Sequence, residues 1–469
     1  MGIDGIVSGL DTTSLINSLM QAEAMPQTLL KSKVTTTQSF ISALQGLNTK
    51  VSSLMDAAKA AAKPASWDAM TATSSAKTVT ATTTTGAGTS SLSFTVDALA
   101  KPQTSVSRAV GSLADLFGDP SATPPVPGTV PAGVTLRTGD GAGDTFTAVP
   151  LVGVTDLAGL AGAINKADAG VTATVVKVSD TESRLQLTSK ATGAPAAFDL
   201  YSGTVTDADA ASATVVMART DAIAAASDAQ ITLWKGTGAE QKVTSHSNSF
   251  SGVLTGVSLT VTAEETTPVT VTVNRDDAAL KKLASNLVGA LGVVFSEVKS
   301  RTAVTTSTSS DGRSVVSGGV LSADSTTRSV NQQVLAAASY PVDGTSPSEV
   351  GMVLGRDGTI TFDDAKFTAA MAKDPAKVQA VVMGVAQRVE KAAKEISDPI
   401  DGTLSLKVKA QESYSKNLSQ QVSDWDRRLE VRRAGLQATF TAMEVGLSGL
   451  QAQSSWLSGQ ISSLMANNL

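Results

Sequence analysis

A chain of 469 residues exceeds the usual size of one hydrophobic core, so several domains are expected. Against 42 acidic residues stand only 37 Lys and Arg, without the clustering that phosphate neutralisation requires, which argues against a nucleic-acid partner. The absence of cysteine excludes disulfides, thiolate metal sites and cysteine nucleophiles together.

The start, Met1 to Leu10, has no basic region and carries Asp4 where an apolar core would begin, so a cleaved secretory leader is not expected and export would use another route. Asp11 reads as an N-cap, and Leu15, Ile16, Leu19, Met20 and Glu23 follow at helical spacing until Pro26 interrupts. A second helix follows, in which Leu30, Val34, Thr37, Ile41, Leu44, Asn48, Val51, Met55 and Ala58 alternate steps of four and three. Such a heptad seam requires a partner helix.

From about Thr78 the period changes to two. Leu92, Phe94, Val96 and Ala98 follow the turn-forming Gly86-Ala-Gly88 and predict a hairpin. A second hairpin is expected where Leu254, Val257, Leu259 and Val261 precede a polar turn at Glu264 to Pro268 and then Val269, Val271 and Val273; the two hairpins would share a sheet. Between them, a Pro- and Gly-rich stretch from Pro120 to Gly143, a helix over Leu157 to Ala167 and strands at Val171 to Val178 and Arg184 to Thr188 read as an inserted domain. Phe198, Tyr201 and Trp234 follow apolar neighbours and are expected to fill cores.

Helical period returns after Arg275 in Leu280, Leu283, Leu287 and Leu291, and a strand-like turn is expected from Gly351 to Phe362. No apolar run approaches the roughly 20 residues of a membrane span, the best being Val288 to Phe295, so membrane insertion is not expected. From Leu404 onward there is no proline, and an unbroken helix of that length would reach roughly 90 Å. Its seam runs Leu418, Val422, Trp425, Leu429, Arg432, Leu436, Phe440, Met443, Leu447, Leu450, Ser454, Leu457, Ile461 and Leu464. Two consecutive four-residue steps, Arg432 to Leu436 to Phe440, form a stutter where packing partners could change. Gly435, Gly446, Gly449 and Gly459 weaken the last segment, so it is expected to fray alone and to order against neighbouring subunits.

Catalytic signals are poor. His246 is the only histidine and sits in a polar run, and no carboxylate or lysine spacing suggests a dyad; no enzyme, metal or cofactor is expected. Gly139 to Asp144 reads as a tight turn rather than a phosphate or calcium loop, and Asp363-Asp364 as a helix cap. The candidate assembly seam is therefore Leu10, Ile16, Leu19, Met20, Leu30, Val34, Ile41 and Leu44 with the apolar residues of the C-terminal seam.

Gly9-Leu-Asp11 with Leu15-Ile16, Leu19-Met20, Glu23 and Pro26 resembles the start of the flagellar filament cap family, also called hook-associated protein 2. Arg427-Arg-Leu429, Phe440, Ala442-Met-Glu444 and Ser454-Ser-Trp-Leu457 resemble its end, and Leu157 to Asn165, Gly170-Val-Thr-Ala173, Leu185 to Gly193, Leu254 to Leu259, Leu321-Ser-Ala-Asp324 and Gly358-Thr-Ile360 its interior. The resemblance implies an α+β multidomain fold: a terminal coiled-coil leg (1–40 with 425–469), a helical-bundle neck (41–76 with 276–424), a β-rich head domain (77–108 with 230–275) and an inserted outer β-rich head domain (109–229). It also implies a homo-oligomeric ring, a pentamer, at the extracellular filament tip. Its partners would be flagellin, the hook–filament junction protein and a dedicated export chaperone. Two other readings are a tip adhesin binding host glycans and another axial junction protein of the flagellum.

Overall fold

Asp11 accepts a hydrogen bond from the Ser14 N–H at 2.8 Å and starts helix α1 (Thr12–Glu23), as its short carboxylate suits an N-cap. In the computed structural model the described residues are Gly9 and 11–466, apart from 120, 123–125, 142 and 357. Helix α2 (Met25–Ala62) follows after the single residue Ala24, with Pro26 in its first turn, where a missing N–H costs nothing. The later helices are α3 (Leu113–Leu116), α4 (Leu157–Ala167), α5 (Asp277–Thr302), α6 (Ser325–Ser339), α7 (Asp364–Lys373), α8 (Pro375–Ser397) and α9 (Thr403–Ala466). The chain divides into two units, one of residues 1–67 and 277–469, the other of residues 68–276.

In the first unit α2 packs against α5, α8 and α9. Ile41, Leu44, Leu47, Val51, Leu54 and Ala58 of α2 are buried, matching the predicted seam but wider than it, since three neighbours cover a broader stripe than one coiled-coil partner would. By length and composition α5 would pass as a membrane span, contrary to the sequence expectation. Its Leu280, Leu287, Leu291 and Val294 are buried within the helical bundle instead. The expected turn near Gly351 is a hairpin of Met352–Leu354 with Ile360–Phe362. Asp363 then caps α7 by accepting from the Lys366 N–H at 3.0 Å. A second hairpin, Val304–Thr308 with Ser314–Gly318, has every residue exposed and was not anticipated from sequence.

The second unit corrects the two expected hairpins. Val79–Thr83 and Ser90–Ala98 flank the glycine turn but do not pair with each other, and neither do Val257–Val261 and Glu265–Arg275. Partners are exchanged: Ser90–Ala98 pairs with Glu265–Arg275, setting Phe94 opposite Val269, while Val79–Thr83 pairs with Val257–Val261, setting Ala81 opposite Leu259. One sheet runs Met70–Ser74, Glu265–Arg275, Ser90–Ala98, Ala229–Leu233, Gln241–Ser245, and the other Ser249–Leu254, Val257–Val261, Val79–Thr83. Their inward residues, Leu92, Phe94, Ile231, Leu259, Val261 and Val271 among them, form one core, because strand alternation sends each to the same side. The predicted polar turn at Glu264 to Pro268 is largely strand, interrupted by a register shift between Glu265 and Val269.

Another core in this unit joins α4, which spans the predicted residues and is capped by Asp156, to the antiparallel pair Val171–Lys177 and Ser183–Ser189. The Pro- and Gly-rich stretch contains a further strand, Gly133–Thr138, paired with Thr145–Pro150 and Phe198–Ser202. Phe198 and Tyr201 are buried as expected, whereas Trp234 is half exposed. It lies just past the strand Ala229–Leu233 in a turn, at φ 49°, where the alternation that buries Leu233 has ended.

Candidate assembly surface

Helix α9 has 64 residues, and at 1.5 Å per residue it is about 96 Å long. Its first third belongs to the bundle, with Leu404, Val408 and Leu418 buried. Farther on it runs antiparallel to α2 and then α1. Gln45 Nε2 donates to Glu412 at 3.1 Å, Gln27 Nε2 donates to Asp426, Arg432 donates to Glu23 at 2.9 Å and Arg433 donates to Asn17 at 2.6 Å. Residue numbers rise on one helix as they fall on the other.

The structure brings the predicted seam together unevenly. Ile16, Ile41, Leu44 and Leu418 are buried; Met20, Leu30, Val34, Val422, Trp425, Leu429, Leu436 and Phe440 are half-buried. Leu19 is exposed on the outer side of α1, because a single helix partner cannot cover both flanks of so short a helix. Leu10 lies outside the described residues, as does the side chain of Leu464. Arg432, which the spacing puts in the seam, points to Glu23 at the last turn of α1, so the stutter coincides with the place where α9 exchanges α2 for α1.

Beyond this pairing α9 continues. Every residue from Ser448 to Ser463 is exposed, including Leu450 at 63%, Trp456 at 66%, Leu457 at 55% and Ile461 at 46%. Met443 is likewise exposed and Leu447 half-buried. Gly435, Gly446, Gly449 and Gly459 do not interrupt the helix, and a Cβ on any of them would meet open space. About 24 Å of helix thus presents an apolar stripe with no cover among the described residues, more than a folded chain ordinarily leaves in water.

Polar side chains elsewhere serve structure. The side chain of Asp144 is buried and held between Arg137 and Arg219; burial raises its pKa, but the Gly141 N–H and the two guanidinium groups outweigh that and leave it below the ordinary 3.8. His246 is exposed beside Asp228 at 3.1 Å, and the Ala194 N–H holds the Asp228 carboxyl low. Among the described residues no group of three or more His, Cys, Asp or Glu is placed to hold a metal ion. Sequence reading missed the interhelical partners Asn17, Gln27 and Asp426; their one visible trace is polar residues recurring at or beside seam positions.

Comparison with known proteins bears on the same helices. Residues 8–103 match the family model for the flagellar hook-associated protein 2 N-terminus, residues 226–452 that for its C-terminus, and residues 133–191 the flagellin hook IN motif. The chain is 26% identical to flagellar hook-associated protein 2 of Escherichia coli K12 over 473 residues, 97% of each chain. It is 30% identical over 240 residues to lateral flagellar hook-associated protein 2 of Vibrio parahaemolyticus, covering 50% of this chain and spanning about half the length (51%) of that relative. A crystal structure of the D1-D2-D3 domains of the Escherichia coli flagellar cap protein superposes with a TM-score of 0.61 at 22% identity, covering 79% of this chain and 99% of that one; it shows the same fold. With both terminal models matched on the segments that build the helical unit and the β-rich unit between them, the chain belongs to the flagellar hook-associated protein 2 family, the flagellar cap proteins.

Proposed function

We propose that this chain caps the distal tip of the flagellar filament without bond chemistry, through the uncovered end of α9. The observation that carries the reading is the exposed stripe of Leu450, Trp456, Leu457 and Ile461 on a helix whose earlier seam is at least half-buried within the chain. Each large apolar side chain gains about 1.5 to 3 kcal/mol on full burial, so a neighbouring helical subunit that supplies the missing face is strongly favoured. Flagellin arriving at the tip is the proposed source of that face, and would fold against it before diffusing away.

In this reading 1–40 with 425–469 is a leg, 41–76 with 276–424 a neck, and 77–108 with 230–275 and 109–229 the head domains, with copies joined into a pentameric ring. The seam residues Ile16 to Leu44 and Leu418 to Leu464 divide the work, the earlier part pairing within the chain and the part after Phe440 between chains. Export without a cleaved leader, guided by a dedicated chaperone, and docking on the hook–filament junction protein belong to the same proposal. Adhesion to host surfaces gains no support from the family matches.

Removing the segment after Phe440, in cells that otherwise lack the full-length protein, tests this. The expected result is secreted flagellin monomer and no filaments. Normal filaments would sink the reading.

A further inference from the structure

We propose that three polar layers in the α2–α9 seam set the register of these helices, and through it the length of α9 that projects past α1. Gln27, 6% exposed, donates to Asp426. Asn48 donates through Nδ2 to Ser405 Oγ at 3.5 Å, and Ser405 Oγ in turn lies 3.5 Å from the Ser397 carbonyl. Twenty-one residues separate Gln27 from Asn48 and the same number separates Ser405 from Asp426, so the intervening helices run level without a skip. Midway, Thr37 on α2 and Ser415 on α9 are both buried, within one residue of the same level.

Apolar seams repeat every heptad, so leucine packing alone is nearly as well satisfied after a slip of seven residues. The polar residues are not. Sliding α9 by one heptad in either direction sets Ser405 level with Met55 or Ile41, and Asp426 level with Val34 or Met20. Ser405, 8% exposed, would then face an apolar side chain without a partner, an expensive arrangement in a partly dry seam, while Asp426, which is exposed, would lose Gln27 but keep access to water. In the native register the Asn48 Oδ1 is itself buried without a hydrogen-bond partner. A layer that leaves an acceptor unsatisfied works against stability, so its contribution is to specificity, as a buried asparagine in a coiled-coil seam fixes alignment.

The consequence, which rests on the proposed assembly role, is a fixed reach: a heptad slip would displace the exposed stripe by about 10 Å along the helix axis. Crosslinking reads the register in the isolated chain, so its outcome stands apart from whether the stripe caps filaments. The chain has no cysteine, which leaves any introduced pair unambiguous. Leu30→Cys with Val422→Cys reports the native register, and Leu30→Cys with Leu429→Cys the slipped one. With the polar layers intact, mild oxidation should close only the first pair. In Gln27→Leu/Thr37→Val/Asn48→Leu the second pair should rise at least about tenfold, with the melting temperature unchanged or higher. A silent second pair beside full closure of the first overturns the proposal, and so does loss of both crosslinks with loss of helical circular dichroism, which would make the layers part of the fold rather than its register. Asn48→Leu alone should move the second pair in the same direction, and its failure to do so in a folded chain overturns the proposal as well.

Discussion

Changing Leu450, Leu457 and Ile461 together to serine removes the three aliphatic members of the apolar stripe at the uncovered end of α9, leaving Trp456 in place and the charge untouched. These side chains are 63, 55 and 46% exposed in the single chain, so roughly half of each remains to be buried by a partner. Full burial of such a residue is worth about 1.5 to 3 kcal/mol, which leaves about 1 kcal/mol each and about 3 kcal/mol for the three. That corresponds to a loss of affinity for the neighbouring subunit on the order of 100-fold. Exposed substitutions of this kind shift monomer stability by only about 0.5 kcal/mol each, so thermal unfolding followed by circular dichroism should change little. Filaments counted by electron microscopy and flagellin monomer assayed in the medium, after complementation of cells lacking the protein, supply the functional readout. Wild-type filament numbers would refute the reasoning. A large fall in melting temperature would refute it too, because it would mean that the stripe is already packed within the monomer.

Inside the helical bundle the opposite pattern is expected: Leu44→Ala, at a position with no exposure, should cost about 2 to 5 kcal/mol and lower the melting temperature of the helical unit before any effect on assembly is seen. The β-rich unit should lose stability in acid through Asp144, whose folded pKa lies below the ordinary 3.8; its contribution is complete above that value and disappears as the pH falls through the lower folded one. Acid unfolding of Asp144→Asn, which lacks that titration, should be correspondingly flatter below pH 3.8, and an unchanged acid profile would contradict the ion-pair account.

Much of the helical architecture was legible because its signals are local. The Asp11 and Asp363 caps, the α4 boundaries and the α2 seam follow from short-range spacing and the orphan N–H groups at helix starts. The proline-free run to the end likewise foretold one long helix. Strand pairing was not legible. Alternation in Leu92 to Ala98 and in Val257 to Val273 announces strands, but which strand lies beside which is settled by residues nearly two hundred positions apart, and proximity in sequence suggested the wrong partners. Trp234 failed because apolar neighbours in sequence do not bury a residue that sits in a turn just past the strand end.

For the assembly surface, amino-acid order alone determined that both terminal regions carry heptad seams and that the C-terminal one is longer than its N-terminal counterpart, because periodicity and length are properties of the chain itself. Only the tertiary structure decided where pairing stops. The Gln27–Asp426 and Asn48–Ser405 contacts align the helices so that α9 keeps partial cover past Arg433, with Glu444 buried and Phe440 and Leu447 half-buried, and Ser448 to Ser463 is left exposed. Register depends on side chains meeting across two distant segments, and a repeat of seven cannot choose among its own multiples.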